Sequence, residues 1–164
     1  MTAGTTRNPA PRFSRFTWLM ETYAENFSRL SRMFQPQGLP EGRYVSRVPG
    51  GLELLVDVLA QHPYTVELRL SYRMLDDATG QPDPSAYVRL YRDARQAEVT
   101  HCYVGRHWQD VLGVHPSIKA MLNHRLRMNA FLNKWLEYLD GEGHGPHTIT
   151  AVEPSEDNEV VVCA

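Results

Sequence analysis

Apolar side chains recur at three- and four-residue steps between Ser14 and Phe34, at Phe16, Leu19, Tyr23, Phe27, Leu30 and Phe34. One apolar stripe at that spacing predicts an amphipathic helix. Ser14 or Thr17 is placed to cap its start, and Gln35-Pro36-Gln37-Gly38-Leu39-Pro40 to stop it. Glu21 and Glu25 precede Arg29 and Arg32, an order that suits the helix dipole, and Glu25 and Arg29 are an i,i+4 pair.

The period then shortens. Arg43–Val48 alternates, and Pro49-Gly50-Gly51 signals a turn. Leu52–Ala60 is apolar on both faces apart from Glu53 and Asp57. Its length and flanking turns favour a buried strand over a short helix. Val66–Tyr72 puts Val66, Leu68, Leu70 and Tyr72 on one face and Glu67, Arg69 and Ser71 on the other, the pattern of a half-buried antiparallel strand. Residues 75–86 carry three Asp, a Gly and two Pro and form a loop. Tyr87–Arg92 and Ala97–Val104 are two further strands, joined through Asp93-Ala94-Arg95-Gln96. That link forces a hairpin, and without Asn-Gly it predicts a loop longer than two residues. Gly105–His115 is irregular, with Trp108 as its anchor. A second, longer helix starts at Pro116 and runs to Asp140, with Gly141 as its stop. Helix, about five strands, helix predicts an α+β fold: an antiparallel sheet flanked by long N- and C-terminal helices, in two layers.

Length and composition narrow this. A chain of 164 residues with 42% hydrophobic side chains is one domain with a sizeable core. No run of about 18 apolar residues is present, so no membrane span is expected. The N-terminal stretch has no apolar signal-peptide core, which predicts a cytoplasmic protein. Cys102 and Cys163 are too few for a disulfide scaffold or a four-cysteine zinc site. The net charge of −2 is uneven: residues 1–140 carry +3, and residues 141–164 carry −5 with no Lys or Arg. The chain therefore divides into a flexible leader (1–12), one α+β domain (13–140) and an acidic, disordered tail (141–164). Within the tail, Val160-Val161-Val162 has the composition of an extra strand. Basic residues are 15 Arg against 2 Lys, a bias that fits genomic base composition or guanidinium recognition of anions.

Three segments carry a resemblance. They are Tyr23-Ala24-Glu25-Asn26-Phe27-Ser28-Arg29-Leu30, Val88-Arg89-Leu90-Tyr91-Arg92-Asp93-Ala94-Arg95-Gln96-Ala97-Glu98-Val99, and Asn129-Ala130-Phe131-Leu132-Asn133-Lys134-Trp135-Leu136. In this order and spacing the chain resembles the YqiB-like proteins, a bacterial family defined as a domain of unknown function. The middle segment is the most specific. Two departures mark a divergent member: Asn123-His124-Arg125 replaces an acidic pair followed by lysine, and Arg92 stands where His is common. The resemblance implies the same fold order and a bacterial cytoplasmic setting, and it implies no activity.

The candidate chemistry lies in the hairpin. Arg89 and Tyr91 share one strand face, Asp93 sits at the turn, and Glu98 starts the returning strand. One reading is structural: a cross-strand Arg89–Glu98 ion pair, with Asp93 supporting the turn. The other is a ligand-binding face extended by Arg69 and Arg73, in which Arg holds an anionic group and a carboxylate acts as base. No metal or cofactor is expected. His101 and Cys102 point to opposite faces, His107 and His115 complete no known ligand spacing, and no phosphate loop, dinucleotide fingerprint or nucleophile elbow occurs. Nucleic acid is not expected either, because Lys119, Arg125, Arg127 and Lys134 make no continuous stripe. The sequence thus points first to a non-catalytic binding or adaptor module with an unidentified protein partner, for which Tyr64, Trp108 and Tyr138 are candidate anchors. A small-molecule-binding protein or enzyme built on the hairpin is the alternative, and a nucleic-acid-binding protein the third.

Overall fold

A computed structural model describes residues 14–73, 77, 78, 80, 84–103 and 117–153. Helix α1 spans Arg15–Phe34, with Ser14 Oγ accepting from Thr17 N–H at 3.1 Å. A 3-10 turn, Pro36–Gly38, leads into strands β1 (Gly42–Ser46), β2 (Leu54–Gln61), β3 (Thr65–Tyr72), β4 (Ser85–Tyr91) and β5 (Gln96–Tyr103). Helix α2, Ile118–Gly141, and strand β6, Ile149–Ala151, follow. The strands form one antiparallel sheet in the order β5-β4-β3-β2-β1-β6.

Both helices lie on one face of the sheet, giving the two expected layers. Leu30 and Met33 of α1 and Leu132, Leu136 and Leu139 of α2 pack on the alternating residues Val56, Val66, Leu68, Leu70, Val88 and Leu90. Arg15 donates to Asn123 at 2.7 Å, Asn26 to the Asn129 carbonyl at 3.2 Å, and Arg32 lies 3.7 Å from Asp140. These contacts rise together along the two sequences, so the helices run parallel. Trp135 packs edge-on against Tyr72 and donates Nε1–H to its hydroxyl at 2.9 Å, which satisfies the indole's only donor.

Three expectations change. Ser117, not Pro116, sets the start of α2, its Oγ accepting from Ala120 N–H at 3.1 Å. Gly141 is still helical, and the chain reverses at Gly143, whose φ of 99° suits a residue without Cβ. The sheet has six strands rather than five, because the segment expected to be a disordered tail supplies β6. Tyr44, Val45 and Ser46 of β1 pair with Ala151, Thr150 and Ile149. The acidic composition of 141–164 hides what anchors its first part: His144 is buried, its Nδ1 2.7 Å from Ser46 Oγ, which is itself 2.6 Å from Thr148 Oγ1. The leader, Trp108 and the valines 160–162 lie outside the described residues.

Burial pushes the His144 imidazole below its ordinary value, with Glu142 partly opposing. A histidine with a depressed folded value adds stability that is complete above about pH 6.5 and is lost as pH falls through that folded value. His124, lowered by burial and by Arg127, acts in the same direction. The thermal midpoint of the wild type is therefore expected to fall between pH 7.5 and 5 by more than that of His144→Gln. Equal falls would remove His144 from this role.

Candidate functional site

The β4–β5 hairpin turns through Arg92–Arg95, with Arg95 in the left-handed region at φ 53°. Asp93 Oδ1 accepts from Ala94 N–H at 2.9 Å, so Asp93 supports the turn, as one of its two readings required. Arg89 and Glu98 are direct register partners and share a face. They do not form the expected ion pair. Arg89 turns to β3 and donates from Nε and Nη2 to Glu67 Oε1 at 3.2 and 3.0 Å. Glu98 instead accepts from the Tyr91 hydroxyl at 2.6 Å and lies 3.6 Å from Arg125 Nη1 of α2.

A one-residue bulge shapes the floor beside this pair. Tyr87 pairs with His101 and Val88 with Val99, leaving Thr100 without a register partner. Bulges re-aim side chains and end regular pairing. Thr100 thus joins Arg89, Glu98 and Val99 along one wall of a cleft of about 300 Å³. The opposite wall is the first half of α2: Met121, His124, Arg125 and Met128. Tyr23 of α1 is influenced by both Arg125 and Glu98, and burial pushes its phenol up. Burial and the Glu98 contact also raise the Tyr91 phenol. Tyr91 and Glu67 hold Arg89 above its ordinary value, so it stays protonated. Burial and Arg127 push His124 towards its neutral form, and the other polar side chains lining the cleft are Arg89, Glu98, Thr100 and Arg125.

The remaining predicted residues lie elsewhere. Arg69 donates to Asp57 Oδ2 from Nε and Nη2 at 2.9 and 2.6 Å and stands 6.0 Å over the Tyr87 ring. Arg73 lies 3.2 Å from Glu53. Both belong to charge ladders across the sheet rather than to the cleft. Arg92, one of the departures from the resemblance, donates to Gln61 Oε1 and ties the hairpin to the 3-10 turn. Sequence reasoning missed the cleft's helical wall. One signal was available, since Asn123-His124-Arg125 is the other departure and two of its three residues line the cleft.

Two alternatives meet geometry that does not suit them. Ser46 Oγ and His144 Nδ1 are at nucleophile–base distance, yet Ser46 is 0% and His144 3% exposed, so no substrate reaches them. Among the described residues, basic side chains are distributed among acids (Arg29–Glu25, Arg43–Asp57, Arg47–Glu53, Lys134–Glu137) rather than collected into a phosphate-tracking stripe. Among the described residues no three His, Cys, Asp or Glu converge on a metal position, and no helix is long and apolar enough to cross a membrane.

A two-layer α+β domain with a polar cleft at its sheet edge is the class these features define. The chain belongs to the family described as "Protein of unknown function (DUF1249)", whose model matches residues 29–145. That match contains the whole hairpin and α2, and therefore both walls of the cleft. No curated protein and no solved structure matches the chain.

Proposed function

We propose that this protein is a non-catalytic binding protein, and that its ligand is a small molecule held between the hairpin and α2. The observation that carries this is the convergence of Arg89 and Glu98 from the sheet with Arg125 from the helix around one cleft of about 300 Å³. Small-ligand sites are concave, partly apolar and furnished with a few polar groups that fix orientation. Val99, Met121 and Met128 supply the apolar part. Methionine adapts its shape to what it contacts, which suits a site that closes on a ligand. The resemblance to YqiB-like proteins supports a bacterial cytoplasmic setting for this activity.

The test uses three probes of one shape: hexanol, hexanoate and hexylamine, observed by saturation-transfer NMR. Met121→Trp fills the cleft mouth from a position already 43% exposed, so it leaves the core intact. At least one probe is expected to bind the wild type and to lose its signal with Met121→Trp. If no probe shows that dependence, the cleft is not a ligand site.

A further inference from the structure

The charge state of the cleft narrows the ligand. Two guanidinium groups and one carboxylate line the cleft, and one of the two, Arg89, is already neutralised by Glu67 just outside it, which leaves Arg125 as the cation open to a ligand. The two arginines differ in how they are held. Arg89 commits two donors to Glu67 at hydrogen-bond distance. Arg125, with its side chain 52% exposed, approaches Glu98 at 3.6 Å and also meets the Tyr23 hydroxyl of α1. That separation lies beyond a hydrogen bond, so the attraction is coulombic and weakly directional. Glu98, by contrast, is secured at 2.6 Å by the Tyr91 hydroxyl. Were Arg125 to turn away, Glu98 would keep a strong hydrogen-bond donor.

Resting on the binding reading above, we infer that the ligand is a small organic monoanion, a carboxylate with a short apolar tail, and that Arg125 is its anchor. The guanidinium swings from its loose contact with Glu98 to a paired contact with the ligand carboxylate, where two parallel N–H donors match two oxygens. The tail lies between Met121 and Met128. The volume, about 300 Å³, accommodates on the order of ten water-sized groups. Glu98 competes for Arg125 and repels the incoming anion, so it holds affinity down rather than supplying it.

The same three probes separate this inference from the reading it rests on. Hexanoate is expected to bind the wild type more tightly than hexanol, and hexylamine least. Arg125→Gln should weaken hexanoate roughly tenfold or more, the worth of one lost charge-assisted contact, and hexanol by far less, so that the preference for hexanoate over hexanol collapses. Glu98→Gln should tighten hexanoate. An unchanged thermal midpoint in each variant confirms that the fold persists. If hexylamine binds best and Glu98→Gln abolishes it, the anion inference is wrong while the cleft remains a binding site. If hexanoate binds but ignores Arg125→Gln, the anchor is wrong. If none of the three binds in a way that Met121→Trp removes, both proposals fall.

Discussion

Asp57→Asn is expected to lower unfolding free energy by about 3 kcal/mol, in the range for removing one partner of a buried ion pair. Asp57 is 5% exposed and sits in the middle of the sheet. Its Oδ1 accepts from Arg43 Nε at 2.8 Å and its Oδ2 from Arg69. The three residues are register partners on β1, β2 and β3, so the strand pairing itself brings them together. An asparagine of the same shape removes the charge and turns an N–H₂ group towards one guanidinium, donor against donor. Arg43 and Arg69 keep 39% and 22% of their side-chain surface, so water recovers part of the loss. Glu67→Gln is the control. Its pair with Arg89 is 38% and 42% exposed, and such pairs are worth about 0.5 kcal/mol. Urea unfolding with unchanged slope measures both. If Asp57→Asn costs no more than Glu67→Gln, Asp57 is acting as a surface group.

This contrast also explains what the sequence could disclose. Alternation at Val66–Tyr72 and the stripe on α1 follow from periodicity, which a single chain displays directly. The side of each strand on which Arg89, Tyr91 and Glu98 stand follows from the same rule. Which charge meets which does not. Arg89 has Glu98 on one neighbouring strand and Glu67 on the other, and strand order alone does not choose between them. The bulge at Thr100 is equally silent in the pattern, although it shapes the wall of the cleft. Arg125 and His124 read as ordinary helix-surface residues because their meaning depends on α2 passing the β5 edge. Strand β6 was missed because its residues are few and its anchor is polar: a buried His144 and two hydroxyls.

Asn129→Ala is the second large loss, expected at about 3 kcal/mol, because it leaves the buried Val99 N–H without a partner where water cannot reach it. β5 is the last strand on its side of the sheet, and an edge strand carries backbone groups that need partners. Asn129, 0% exposed, supplies one: its Oδ1 accepts from Val99 N–H at 2.9 Å. Its Nδ2 donates to the Arg125 carbonyl at 2.8 Å. Its own carbonyl accepts from Asn26, whose Oδ1 accepts from Asn133 at 3.1 Å. Three asparagines thus join α1, α2 and the sheet edge. Their place in the first and third resembling segments has a structural cause, without any ligand. Asn129→Leu keeps the branched outline, adds bulk at a buried site and still orphans Val99, so it should lose nearly as much as alanine, or more. Asn129→Asp keeps the acceptor for Val99 but buries a charge and abandons the Arg125 carbonyl. Hydrogen exchange at the Val99 amide reads the contact directly, and it should accelerate in the alanine and leucine variants. Because Asn129 holds the α2 turn that carries Arg125, both variants should also weaken hexanoate in proportion to that opening. Unchanged Val99 exchange in a destabilised Asn129→Ala would mean that the loss comes from the helix pair and not from the sheet edge.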